Sequence, residues 1–256
     1  MKPVAGPDDF RCHVSEWSHF ANLVEHFSHH NGHDWLFRGV TEQWHSLVPK
    51  IGRPVTRKLK AEEHVPYRYE DELAVLAMFK QQARAHLASA PGSPLEWLAI
   101  AQHWGLPTRF LDWTDSLAVA AWFAVEACGA KSYDSPHSAI WVTRGAAFIP
   151  WDFYHEDPFL LGGAMTYRPP HITPRIAAQG SVLMICPNPT DEVKLPFAKQ
   201  IVIDREFEFT LQKRLNACGI NRRQLFPDLS GLSDHLAWMY KNDWLAGYKN
   251  DWMDRR

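Results

Sequence analysis

The chain has few cysteines and no pair of them. Cys12, Cys128, Cys186 and Cys218 are scattered, with no C-x-x-C spacing, so a disulfide-stapled scaffold is excluded and thiols in a reducing compartment are expected. No apolar run approaches the roughly 18 residues that a membrane span needs. The first residues carry no leader pattern, and a cytoplasmic protein without membrane attachment is the expectation. No charge of one sign dominates. Lys and Arg number 27 against 29 Asp and Glu, a net charge of −2, which leaves no global footprint for a phosphate backbone. Nucleic acid is therefore not the expected partner, although a local basic patch around Arg53, Arg57, Lys58 and Lys60 stays open beside the plainer reading as a solvated loop. Neither G-x-G-x-x-G nor G-x-x-x-x-G-K-[ST] occurs, so the usual dinucleotide and P-loop cradles are missing. No low-complexity linker divides the chain.

What the chain does have is aromatic bulk and one unusual block. Twelve Trp in 256 residues point to a thick core and to surfaces on which a flat ligand can stack. Between Ala101 and Ala124, the residues Leu111, Trp113, Val119, Trp122 and Phe123 read as interior. Yet His103, Thr108, Arg109, Asp112 and Thr114 sit among them. Uncompensated burial of a charge costs several kcal/mol, so these groups must be paired or serve a ligand.

The pattern of the elements points to an α+β fold, a single domain with a mixed or antiparallel sheet flanked by helices. A helical lead-in fills 1–33, with residues 1–13 loose and a helix after Ser15 carried by Trp17, Phe20, Val24 and Phe27. Asp34 to Val40 reads as a short buried strand, and 44–69 as a long irregular loop. Helical periodicity returns over Glu70–Ala88, on a stripe of Leu73, Leu76, Ala77, Phe79, Ala83 and Leu87. Ser93 caps a second helix that Gly105 ends. A strand at Phe110–Trp113 follows, then an Ala-rich helix capped by Thr114 or Asp115. Ala139–Thr143, Ser181–Cys186 and Gln200–Asp204 read as strands, with one or two short ones in 145–178. Arg205–Cys218 and the stretch from about 229 to Trp244 read as helices. Tyr-Lys-Asn-Asp-Trp occurs at Tyr240–Trp244 and again at Tyr248–Trp252, so 237–256 is read as an aromatic helix or tail, either frayed or docking a protein partner.

Several of these pieces resemble the FRG domain family. They are Phe37-Arg38-Gly39, Leu47-Val48-Pro49 with Arg53, Phe79-Lys80, the block Ala101–Thr114, Arg175–Gly180 and Leu225–Leu229. The resemblance runs from about Trp35 to Leu236, and a domain of 34–236 is read from it. A second resemblance is to ADP-ribosyltransferases of the arginine–serine–glutamate type. It rests on Phe37-Arg38-Gly39, on Thr114 ahead of Ala118–Ala124, and on Gln179 before Val182-Leu183-Met184. This sequence departs from that type twice, with Asp112-Trp113-Thr114 at the second mark and Gln179 in place of Glu at the third. What the resemblances imply is an ADP-ribosyltransferase-like core handling NAD as substrate, a fold that often serves in toxins or in defence against phage. They make Arg38, His103 and Gln179 the catalytic set, and Arg38, Gly39, Thr108, Arg109, Asp112, Thr114 and Arg175 the cofactor-binding set.

Physical chemistry bounds these roles. The Arg38 fork can hold a phosphate or ribose oxygen, with Gly39 letting a ligand approach the backbone; pairing of Arg38 with Asp112 is the competing role. For Arg109 and Asp112 a mutual buried pair is the favoured reading, completed by the Thr108 and Thr114 hydroxyls. His103, at a helix end, can act as a cation on the dipole, a phosphate donor or a general acid–base. Gln179 does not titrate, yet its amide can bond a nicotinamide-ribose hydroxyl; Glu156, Glu206 and Glu208 are carboxylates that could replace the missing glutamate. A Ser116–His103–Asp112 triad lacks the G-x-S-x-G elbow. The cluster His26, His29, His30 and His33 lacks the companions of a zinc site, and no metal is expected. Two functions follow: NAD cleavage or ADP-ribosyl transfer, or a non-catalytic module that senses a nucleotide or docks a partner.

Overall fold

The computed structural model describes residue 8 and residues 10–29, 35–58, 62–130, 132, 134–153, 155–170 and 173–245. The elements are β1 (His13–Val14), α1 (Trp17–His29), β2 (Leu36–Val40), β3 (Val55–Lys58), β4 (Glu62–Val65), α2 (Tyr69–Ala83), α3 (Pro94–His103), β5 (Phe110–Thr114) and α4 (Leu117–Val125). After them come β6 (Ser138–Thr143), β7 (Met165–Tyr167), α5 (Pro174–Ala178), β8 (Ser181–Ile185), β9 (Ala198–Ile203), α6 (Arg205–Ala217), α7 (Arg222–Leu225) and α8 (Leu229–Lys241).

Seven strands form one mixed sheet in the order β1-β9-β6-β2-β5-β8-β7, parallel at β1–β9 and antiparallel elsewhere. The fold class is therefore α+β. Where a lead-in was expected, His13 and Val14 add a parallel edge strand, with Val14 fully buried. The irregular loop expected over 44–69 holds the hairpin β3–β4, a separate two-stranded sheet.

Alternation along β5 decides what each face carries. The register Phe37↔Thr114 places Phe110, Asp112 and Thr114 on the face of Phe37, while Leu111 and Trp113 pair with Met184 and Val182 toward the other. On the first face the helices form two packets. One packs α1, α4 and α6 on β2, β6 and β9 through Phe20, Phe27, Phe37, Trp122, Ile140 and Leu211. The other packs α2 and α3 on β5, β7 and β8 through Leu76, Leu98, Phe110, Tyr167 and Leu183. The opposite face buries Leu36, Leu111, Trp113, Met184 and Cys186 under loop residues such as Leu47 and Leu195.

Several helices depart from their expected faces. In α1 the buried positions are Phe20, Leu23 and Phe27, with Val24 exposed. In α2 they are Glu72, Leu76 and Ala83, so the expected stripe is rotated and Leu73 and Ala77 face out. The cause is tertiary: Glu72 must meet a buried arginine, described below. Ser93 caps α3 by accepting from the Glu96 N–H. The cap of α4 is Ser116, which accepts from the Val119 N–H, rather than Thr114 or Asp115.

Candidate active site

The two helix packets part above the junction of β2 and β5. Neighbouring ladders β2–β6 and β5–β8 hold five pairs each, whereas β2–β5 holds only Phe37–Thr114. Beyond that pair Arg38 spans the gap, its Nη1 donating to the Asp112 carbonyl at 2.6 Å. The opening is an open cleft of about 360 Å³. Its walls are β2, β5 and β8, the α3 end with Gln102 and His103, α4 with Phe123, and the α5 region with Arg175 and Gln179. Of the residues singled out from sequence, Arg38, Gly39, His103, Asp112, Thr114, Arg175 and Gln179 line this one cleft.

Thr108 and Arg109 do not. Arg109 is 1% exposed and pairs with Glu72, not Asp112: Nε donates to Oε1 at 3.0 Å and Nη2 to Oε2 at 2.7 Å. Nη1 donates to the Pro187 carbonyl, Nη2 also reaches the Tyr67 hydroxyl, and the guanidinium lies 4.2 Å from the Phe159 ring centroid. This bidentate, fully partnered pair ties α2 to β5 and is structural. Thr108 donates to the Gln102 Oε1 at 2.6 Å and accepts from the Phe110 N–H. Neither residue is placed to bind a cofactor.

Gly39 also has a role other than the expected one. A Cβ there would lie 2.0 Å from the Ala120 carbonyl oxygen and 2.6 Å from the Ala124 nitrogen, so the glycine admits α4 rather than a ligand. Thr114 Oγ1 donates to the Gln179 carbonyl and accepts from the Ser116 N–H, which commits its hydroxyl to the fold. The Gln179 amide donates to the Leu225 carbonyl at 3.1 Å, latching α5 to α7. Ser116 is absent from the cleft wall, which removes the triad. Glu156, Glu206 and Glu208 are likewise outside it, Glu208 being buried against Arg205 and the Ser138 N–H.

The chemistry that remains in the cleft is cationic. Arg38, Arg53 and Arg175 converge there with His45 and His103, against a single carboxylate among the described residues, that of Asp112. Burial lowers the pKa of Arg38 and of Arg175, and in both the field of Asp112 opposes that shift. A guanidinium stays charged regardless. Arg175 donates to the His103 carbonyl and stacks on Phe226, 4.3 Å from its centroid, as does Arg222. His103 is pushed below its ordinary range by burial and then by Arg175, with Asp228 opposing. That depression favours the neutral imidazole. Two buried donors of cleft-lining residues, Arg38 Nε and Trp113 Nε1, have no hydrogen-bond partner among the described residues. Cys186, near Arg38, has its thiol pushed up to about 12 by burial and is no nucleophile.

Sequence reasoning named Arg53 only within a family pattern and a basic patch, and missed His45 as part of the cleft. No local signal marks His45, since it arrives from a loop. Of Trp113, Phe123 and Tyr167, the aromatics expected from sequence to stack on nicotinamide, Phe123 lines the cleft and Tyr167 is buried in the core. Among the described residues, no group of three His, Cys, Asp or Glu is placed to hold a metal; His30 and His33 of the expected cluster lie outside those residues, as does Tyr248–Trp252. The first copy of that repeat folds back, with Trp244 against Trp238 at 5.7 Å between centroids. No helix among the described residues is long and apolar enough to cross a membrane.

Residues 33–132 match the model of the FRG domain. No curated protein and no solved structure matches the chain. The matched stretch contributes Arg38, His103, Asp112 and Thr114, while Pro169, Arg175, Ile176, Gln179, Ser181 and Leu183 complete the cleft from beyond it.

Proposed function

With residues 33–132 matching the FRG domain model, we propose that the cleft binds NAD as substrate, in the manner of an ADP-ribosyltransferase-like core, and promotes cleavage of its nicotinamide–ribose bond. The observation that carries this reading is the convergence of Arg38, Arg53 and Arg175, with an unpartnered donor at Arg38 Nε, around a cleft of about 360 Å³. Guanidinium forks and buried donors suit phosphate and ribose oxygens. The size falls within the range of small-molecule pockets. Phe123 supplies an aromatic wall for a flat base. Water or a nucleophile on another molecule would accept the ADP-ribose.

One observation favours a second reading, nucleotide sensing without turnover. Gln179, which stands where the transferase type has Glu, is an amide already bonded to Leu225. Titrating the purified protein with NAD, while following released nicotinamide by chromatography, separates the two. Arg38→Ala is expected to weaken binding by about 10- to 100-fold, the worth of a charged hydrogen bond. Binding and release that are both untouched by this variant would discard the site. Saturable binding with no release would leave the sensing reading.

A further inference from the structure

Asp112 occupies a costly position. It sits mid-strand in β5, where Asp is disfavoured, between Leu111 and Trp113, which are 1% and 3% exposed. Its own side chain is 63% exposed and stands in the cleft. A simple counterion to Arg38 would meet the guanidinium directly. Instead the short bond from Arg38 Nη1 goes to the Asp112 backbone carbonyl, and the carboxylate stands 3.8 Å from the same nitrogen.

The carboxylate is nevertheless held. Gln102 Nε2 donates to both oxygens, at 3.1 and 3.0 Å. The orientation of that amide is set by Thr108, whose hydroxyl donates to Gln102 Oε1 and accepts from the Phe110 N–H. A hydroxyl, an amide and a strand backbone thus aim one exposed carboxylate into a cationic cleft. Among the described residues it is the single carboxylate lining that cleft.

We infer that Asp112 is the catalytic carboxylate of this site, facing the anomeric carbon of a ribosyl donor and stabilising the positive charge that develops there. The inference rests on the proposed NAD chemistry and supplies the acidic group that Gln179 cannot. In the step, the bond between C1′ of the ribose and the pyridinium nitrogen breaks, and its electron pair leaves with neutral nicotinamide. The oxocarbenium-like centre meets the Asp112 carboxylate, as in glycoside cleavage. A water oxygen bonds to C1′, and its proton passes to the His103 imidazole and on to solvent. The balance is NAD and water giving ADP-ribose, nicotinamide and a proton, with no change of oxidation state. Gln102 is a positioning residue, acting through Asp112.

The test is Asp112→Asn in the full chain, with NAD binding by calorimetry and nicotinamide release measured side by side. Release is expected to fall by about 100-fold or more, the usual cost of losing a transition-state charge partner. Binding should be no weaker than in the wild type, because the variant removes a negative charge from a site that takes phosphates. Release at the wild-type rate would overturn the inference while leaving the NAD reading intact. Wild-type binding without release would also overturn it, and absence of wild-type binding would overturn both. If Asp112→Asn does not fold, Gln102→Ala serves instead: a drop in kcat at unchanged KM supports the inference, and unchanged kcat overturns it.

Discussion

His103 carries its environment in its proton affinity. Burial and the Arg175 charge depress it below the ordinary value of 6.5, with Asp228 pulling the other way. Since the folded state takes up its proton later than the unfolded chain, the stability contribution of His103 is fully present above about 6.5. It is lost as the pH falls through the depressed value. The same titration acts on function with opposite signs. Nicotinamide release should hold its plateau at pH 7 and fall only below the ordinary histidine range, as the proton acceptor is lost. Over that window NAD binding should tighten, because an imidazolium adds positive charge to an anion site. A His103→Gln variant should flatten both limbs, and a pH series of Kd and kcat checks it. Arg109 shows the limit of reading residues singly. Its burial was legible from the apolar company it keeps, but its partner Glu72 lies 37 positions upstream on a helix whose apolar stripe gave no hint of an inward carboxylate.

At the scale of elements, α4 lies close against β2. Gly39 allows it, since any Cβ would strike the Ala120 carbonyl and the Ala124 nitrogen, both rigid backbone. Gly39→Ala is therefore expected to cost about 3 kcal/mol in urea unfolding, at the upper end of overpacking effects. It should also weaken ligand binding, because α4 carries Phe123 on the cleft wall. A melt within error of the wild type would show that α4 can yield without loss. Helix existence was well marked in the sequence by Ser93, Gly105 and the Ala-rich run after Ser116. The hairpin β3–β4 and the edge strand β1 were not. Short strands owe their existence to the neighbours that pair with them, and a two-residue strand such as His13–Val14 has no period of its own to detect.

For the molecule as a whole, the candidate cleft exceeds the FRG match. A fragment of residues 33–132 would keep β2 and β5, yet lose β6 and β8, their ladder partners, together with Arg175 and Gln179. Such a fragment is expected to show no cooperative thermal transition by circular dichroism and no NAD binding, while the full chain shows the transition. Two strands meeting in one pair cannot hold themselves together. A cooperatively folding fragment would mean that the matched segment is autonomous.

The amino-acid order alone marked candidate polar side chains. His103, Thr108, Arg109, Asp112 and Thr114 stand out because polar groups embedded in apolar surroundings are expensive unless used, and that expense is visible locally. Tertiary structure decided how those groups are spent. It sent Arg109 to Glu72, tied Thr114 and Gln179 into the backbone, and left Asp112 open beside Arg38. Partner choice across a sheet depends on register and on where two helix packets part, and neither quantity is written in any short stretch of the chain.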